Sequence, residues 1–173
     1  SLRDPLTGLY NRRYFTEHLS ASLARGLRGG WPVCCVYLDV DHFKRVNDEH
    51  GHAAGDAVLC HLAKTLTTQL RSGEVVARYG GEEFCLLLAD AKAQTGVAVA
   101  ERIRASVAKT PIELPSGAWI DLTVSCGVAD SCGLNAFEQR TGAQRLLQQA
   151  DEALYQAKRN GRNRVVSSTV SSD

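Results

Sequence analysis

The chain is predicted to fold as an α+β domain, a mostly antiparallel sheet with helices packed on it. Three observations carry that expectation. Val33 to Asp39 is an unbroken apolar run ending in a charge, the pattern of a strand buried on both faces. Val75–Tyr79 and Glu83–Leu88 flank Gly80-Gly81, and paired glycines supply the positive φ that tight hairpin turns need. The elements also follow one another as helix, strand, helix, helix, hairpin, helix, strand, helix, which suits helices gathered on an antiparallel sheet.

Taken in order, Asp4 to Tyr10 reads as a turn-rich opening. Asn11 caps a helix in which Phe15, Leu19, Leu23 and Leu27 recur at four-residue steps, and Gly29-Gly30 ends it. After the central strand, Asp41 is expected to cap a short helix running to about Glu49. His50-Gly51-His52 breaks that helix. A longer helix is expected from about Ala54 to Arg71, with Val58, Leu59, Leu62, Ala63, Leu66 and Leu70 on one face. The hairpin follows at about 74–79 and 83–89, then a helix over about 92–108. Pro111 to Gly117 reads as loop, Asp121 to Val128 as a strand, and 129–140 as a polar connection. A last helix over about 142–160 buries Leu146, Leu147, Ala150, Leu154 and Ala157, with Gly161 at its C′ position. Val165-Val166 forms a short final strand, and 167–173 reads as a disordered tail.

The 173 residues suit one domain with a real core. A net charge of +1 gives no bulk electrostatic reason to bind nucleic acid or an anionic membrane. No apolar run is long enough to span a bilayer, and no secretory signal opens the chain. The six cysteines lack paired C-x-x-C spacing and read as reduced core thiols of a cytoplasmic protein. Met is absent even at the first position, so the chain is expected to be a piece of a longer protein.

Three groups of residues could carry chemistry. Asp39 and Asp41 end the central strand and point to one side. If the hairpin lies beside that strand, Asp39 meets Glu82 and Glu83. Such carboxylates repel unless a hard divalent cation such as Mg²⁺ neutralises them. Spacing alone also allows that they never meet, and that Glu82-Glu83 is a solvated acidic turn. The second group is the short helix His42-Phe43-Lys44-Arg45-Val46-Asn47-Asp48. Its N-terminus at a strand end is a natural phosphate cradle, Lys44 adds a point charge, and Asn47 offers both a donor and an acceptor to a base edge. The same residues also make an ordinary amphipathic helix. Third, Lys158 and Arg162 could clamp phosphates or simply complement a helix dipole.

Together these segments resemble the GGDEF domain, the diguanylate cyclase family. DPLTGLYNRRYF (4–15), LDVDHFKRVNDEHGHAAGD (38–56), ARYGGEEF (77–84) and DEALYQAKRNGRNRV (151–165) follow the family's order, over nearly the whole chain. The resemblance implies the nucleotide cyclase and polymerase palm architecture, with residues 1–166 as the domain. It also implies condensation of two GTP into cyclic di-GMP and two pyrophosphates, by Mg²⁺-dependent (Mn²⁺ being possible) phosphoryl transfer between two facing copies. Asp39, the Val40 carbonyl and Glu82 would hold the metal, with Glu83 an additional ligand. Glu82 would also be the base, and Lys44 would stabilise phosphate charge beside the backbone of His42 and Phe43. Lys158 and Arg162 would grip the terminal phosphates. Asn47 and Asp56 would read guanine, with His52 close by and Leu6 lining the base pocket. The implied partners are GTP, the cyclic product and a second copy, with a sensory or membrane domain elsewhere in the full-length protein. A non-catalytic module that binds GTP or cyclic di-GMP is the alternative. The family's inhibitory R-x-x-D reads here Arg71-Ser72-Gly73-Glu74, with glutamate in place of aspartate.

Overall fold

A computed structural model describes residues 1–134 and 139–168. A five-stranded sheet in the order β2-β3-β1-β6-β7 forms its centre. The strands are β1 (Val33–Val40), β2 (Val75–Arg78), β3 (Glu83–Ala89), β6 (Val124–Asp130) and β7 (Val165–Ser167). All pairings are antiparallel except β6 with β7, so the expected α+β sheet is observed. Every residue of β1 is buried, as its unbroken apolar run requires.

Alternation along β1 divides the core in two. Cys34, Val36, Leu38 and Val40 join a cluster with α3 (His52–Gln69) and α4 (Ala93–Lys109). Cys35 and Tyr37 join another with α1 (Arg12–Gly29) and α5 (Gln139–Arg159). Side chains two apart share a face, so Asp39 continues the row of Cys35 and Tyr37 toward α5. That helix lies directly on the backbone of β6. A Cβ on Gly127 would stand 2.0 Å from the Ala150 carbonyl oxygen and 2.3 Å from the Leu154 nitrogen, so only glycine permits this approach. The close seating of α5 brings its C-terminal end to the mouth of β1.

Several local expectations shift. Asp41 does not cap α2 (Phe43–His50). The N-cap is His42, in the left-handed region at φ 56, with no side-chain cap bond. Asp41 instead turns inward and accepts from Thr123 Oγ1 (2.7 Å), Ser125 Oγ (2.6 Å) and the Asn163 N–H (3.0 Å). The long helix α3 starts at His52, because Gly51 at φ 88 separates it from α2 without an intervening loop. The stretch expected as loop holds β4 (Ile112–Glu113), paired with β5 (Trp119–Ile120) in a two-stranded sheet. The final strand β7 includes Ser167, so the expected tail begins later. Residues 169–173 of that tail and 135–138 of the polar connection lie outside the described residues. Cys34, Cys35, Cys85 and Cys126 are buried free thiols as expected, but Cys60 is half-buried and Cys132 exposed. Among the described residues, no helix is long and apolar enough to cross a membrane.

Candidate active site

The end of β1 and the hairpin tip meet, as the register Asp39↔Glu83 requires. A cavity of ≈ 180 Å³ opens there, lined by Asp39, Val40, Asp41, His42, Phe43, Lys44, Glu82, Lys158 and Arg162. The Val40 side chain is in the core at 2% exposure, so its main chain forms the cavity wall. Lys158 Nζ donates to Asp39 Oδ2 at 2.6 Å. Burial pushes the Asp39 carboxyl above its ordinary range, Lys158 opposes that, and the Glu83 and Asp41 charges add to it. Burial also raises Glu82, and the Asp39 charge raises it further.

Glu83 is placed differently from Glu82. It does not line the cavity, and its Oε2 accepts from the Tyr37 hydroxyl. Burial and that bond push the Tyr37 phenol far above its ordinary value. On the α5 side, Asp151 is raised by burial and by the Glu83 charge. Among the described residues, no three Asp, Glu, His or Cys side chains form a ready-made metal set. The donors that do converge are hard oxygens, from two carboxylates and a main-chain wall. The Lys158 ammonium stands among them as the neutralising charge, so the residues fit a small hard cation.

The hairpin tip is braced by groups that the sequence reading did not single out. Arg78 donates to the Gly81 carbonyl through Nε (3.1 Å) and Nη2 (2.8 Å), and to Asp4 through Nη1 (3.2 Å). Burial alone would raise Asp4, but hydrogen bonds from Thr7 and the Arg78 charge hold it below its usual range. The segment before α1 thus fastens the acidic turn. It also covers the β2 edge through Tyr10, whose carbonyl accepts from the Arg78 N–H at 2.9 Å.

The residues expected to read a base gather between α2 and α3. Asn47 Oδ1 is buried and has no hydrogen-bond partner among the described residues. It sits where a Cβ on Gly55 would be 2.0 Å away, so glycine at 55 is what admits it. Asp56 and His52 are exposed on the first two turns of α3. Asp56 lies one turn from Cys60, whose Sγ contacts the Leu6 carbonyl oxygen at 3.4 Å.

Arg71 and Glu74 lie at the other end of the sheet, in the turn from α3 to β2. Gly73 adopts φ 87, and the Glu74 N–H donates to the Arg71 carbonyl at 3.1 Å. A cavity of ≈ 380 Å³ has both in its wall, together with Arg102 of α4. Glu74 Oε2 is buried without a partner among the described residues. Arg102 was not legible in the sequence, since it follows by two strands and half a helix.

The acidic Gly-Gly hairpin thus meets an aspartate and basic side chains at a strand end of an α+β domain. The family model described as "Diguanylate cyclase, GGDEF domain" matches residues 1–164, and the chain belongs to the GGDEF family. It is 42% identical over 165 residues to the diguanylate cyclase DgcP of Pseudomonas aeruginosa, covering 95% of this chain and 24% of DgcP. It is 40% identical over 167 residues to the response regulator PleD of Caulobacter vibrioides, covering 96% of this chain and 36% of PleD. The chain thus spans roughly a quarter to a third of these relatives. Its fold matches the GGDEF domain of DgcB from Caulobacter crescentus, solved in complex with c-di-GMP. The TM-score there is 0.90 at 34% identity, covering 97% of this chain and 96% of that one. The active GGEEF domain of a Vibrio cholerae diguanylate cyclase matches with TM-score 0.82 at 34% identity, covering 94% and 99%.

Proposed function

We propose that residues 1–166 form a diguanylate cyclase domain that condenses two GTP into cyclic di-GMP and two pyrophosphates. The observation that carries this reading is the cavity at the end of β1, where Asp39, Val40 and Glu82 face Lys44, Lys158 and Arg162. Asp39, the Val40 carbonyl and Glu82 would hold Mg²⁺ or Mn²⁺, and Glu83 would join them by leaving Tyr37. The cation, when bound, supplies charge neutralisation to the phosphates and acidifies the attacking hydroxyl.

The chain's own residues do the rest. Lys158 releases Asp39 and, with Arg162, grips the terminal phosphates. Lys44 and the backbone of His42 and Phe43 meet charge developing on the phosphates. Asn47 Oδ1, short of a partner, accepts from guanine, and Asp56 accepts from its N1 and N2 donors, with His52 nearby and Leu6 against the base. Adenine lacks that donor pair, which favours GTP. Glu82 takes the proton from the ribose 3′-OH. The 3′-oxygen then bonds to the α-phosphorus of the other GTP, the bond to the β-phosphate breaks, and pyrophosphate leaves. Each copy presents one nucleotide, so two copies must face each other, and the second attack closes the ring.

The test is incubation of the domain with GTP and Mg²⁺ at rising protein concentration, with products identified by mass. Cyclic di-GMP formation whose rate per protomer rises with concentration is expected, and an N-terminal parallel coiled coil should raise it further. A flat specific activity in a demonstrated monomer would contradict the two-copy reaction. Binding of GTP without any product would favour the non-catalytic alternative.

A further inference from the structure

The turn that presents Arg162 is held from outside the cavity. Arg162 and Asn163 follow one another in the left-handed region, at φ 64 and φ 45. Side-chain-bearing residues rarely adopt that conformation, and two in succession need external restraint. The restraint is visible. The Asn163 N–H donates to Asp41 Oδ2 at 3.0 Å, and Asn163 Oδ1 accepts from Arg104 Nη1 at 2.9 Å. Each partner is itself fixed. Asp41 is buried and accepts from Thr123 and Ser125, while Arg104 donates through Nε to Glu101 Oε2 at 3.1 Å. Two independent struts, one from β1 and β6 and one from α4, therefore meet at Asn163. The residue before it lines the cavity.

We propose that Asn163, clamped between Arg104 and Asp41, is the positioning residue that aims Arg162 at the terminal phosphates of bound nucleotide. Arg104 acts at a distance, because it lines no part of the cavity and reaches it only through Asn163. This rests on reading the cavity as the triphosphate site. A relaxed turn would let residue 162 return to ordinary backbone angles and swing its long side chain away. A bidentate guanidinium–phosphate contact does not survive such a swing.

The test is calorimetry with 3′-deoxy-GTP, which cannot cyclise, and with GMP, which lacks the terminal phosphates. Arg162→Ala should weaken 3′-deoxy-GTP by ~10-fold or more and leave GMP unchanged. Arg104→Ala and Asn163→Ala should weaken 3′-deoxy-GTP ~3- to 10-fold, again sparing GMP. Asn163→Asp keeps an acceptor for Arg104 and tolerates the left-handed region, so it should bind within about twofold of wild type. Arg104→Ala added to Arg162→Ala should cost nothing further, since both remove one contact. Wild-type affinity in Arg104→Ala and Asn163→Ala, alongside loss in Arg162→Ala, would overturn the positioning role alone. Equal weakening of GMP and 3′-deoxy-GTP would overturn it too, as a general loss of structure. No loss in Arg162→Ala would overturn the triphosphate reading beneath it.

Discussion

The two ends of the sheet treat buried acidic groups in opposite ways. Where β1 ends, the carboxylates are crowded and answered: Asp39 has Lys158, Asp41 has three donors, and Glu83 has Tyr37. Where β2 begins, Glu74 keeps a buried oxygen with no donor among the described residues, in a cavity that Arg71 and Arg102 also line. An unanswered buried acceptor is costly, and a ligand that brings donors recovers the loss. The first end is organised before anything binds, and the proposed binding there exchanges the partners of Asp39 and Glu83 rather than supplying missing ones. The second leaves an acceptor unanswered, so any ligand seated there would bind through the donors it brings.

The largest effect should come from breaking the organised end. Asp39→Asn and Glu82→Gln keep shape and remove one ligand charge each. Cyclic di-GMP synthesis should drop by at least ~10² in either, since metal binding and proton transfer share that spot. Turnover near that of wild type in either variant would remove the cavity from the chemistry.

A smaller effect should follow from Gly55→Ala, which touches no proposed catalytic group. The new Cβ would overlap Asn47 Oδ1 and crowd Phe43 Cζ at 3.1 Å. Asn47 must leave, and a hydrogen bond to guanine goes with it. GTP affinity should fall ~10-fold, about 1.4 kcal/mol, with the domain still folded by circular dichroism. Unchanged GTP affinity would detach Asn47 from base recognition.

The incomplete end is tested through its product affinity. Glutamate at 74 has one rotamer more to freeze than aspartate, a cost of ~0.5–1.5 kcal/mol. Gly73, at φ 87, lets the backbone adapt, but the longer side chain still leaves Oε2 buried and unpaired. Glu74→Asp is therefore expected to tighten cyclic di-GMP binding by up to ~10-fold. Arg71→Ala should abolish binding and Arg102→Ala should weaken it. If Glu74→Asp binds no tighter in calorimetry, the extra methylene is not what limits this site.

Most of the fold was legible because its signals are local and periodic. The apolar run of β1, the four-residue steps of α1 and the Gly-Gly turn each fix an element without reference to the rest. The placement of Asp41 was not legible. Its position before a helix suggests a cap, but the half-buried Thr123 and buried Ser125 hydroxyls lie more than eighty residues on and compete successfully with the helix for its oxygens. The same holds for Arg102, Arg104 and Asn163, whose partners are set by how α4 and α5 pack. Within the cavity, motif order named Asp39, Glu82, Lys158 and Arg162. It gave no hint that Glu83, adjacent to Glu82, would be held by Tyr37, because neighbours on a strand face opposite sides.

The smallest effect concerns stability, and it separates the organised end from an inert ion network. Asp39 and Glu82 both titrate above their ordinary values in the folded chain, chiefly through burial, with the Glu83 and Asp41 charges adding at Asp39 and the Asp39 charge adding at Glu82. In the unfolded chain they return to ordinary values, 4.5 for Glu82. Between the ordinary and the raised value the native state holds more protons than the unfolded one, so stability falls as pH rises through that window. Glu82→Gln removes one contributor to that fall. In metal-free buffer its Tm should exceed that of wild type at neutral pH, and the difference should disappear below about pH 4, where Glu82 is protonated in both states. The gain should stay under about 1 kcal/mol, because Glu82 is only partly buried and solvent screens it. Excess Mg²⁺ should stabilise wild type more than the variant, since only wild type keeps both carboxylates for the ion. A variant that melts below wild type at neutral pH without metal would mean that Glu82 is a structural partner rather than a repelled charge, and the contrast between the two ends of the sheet would then fail.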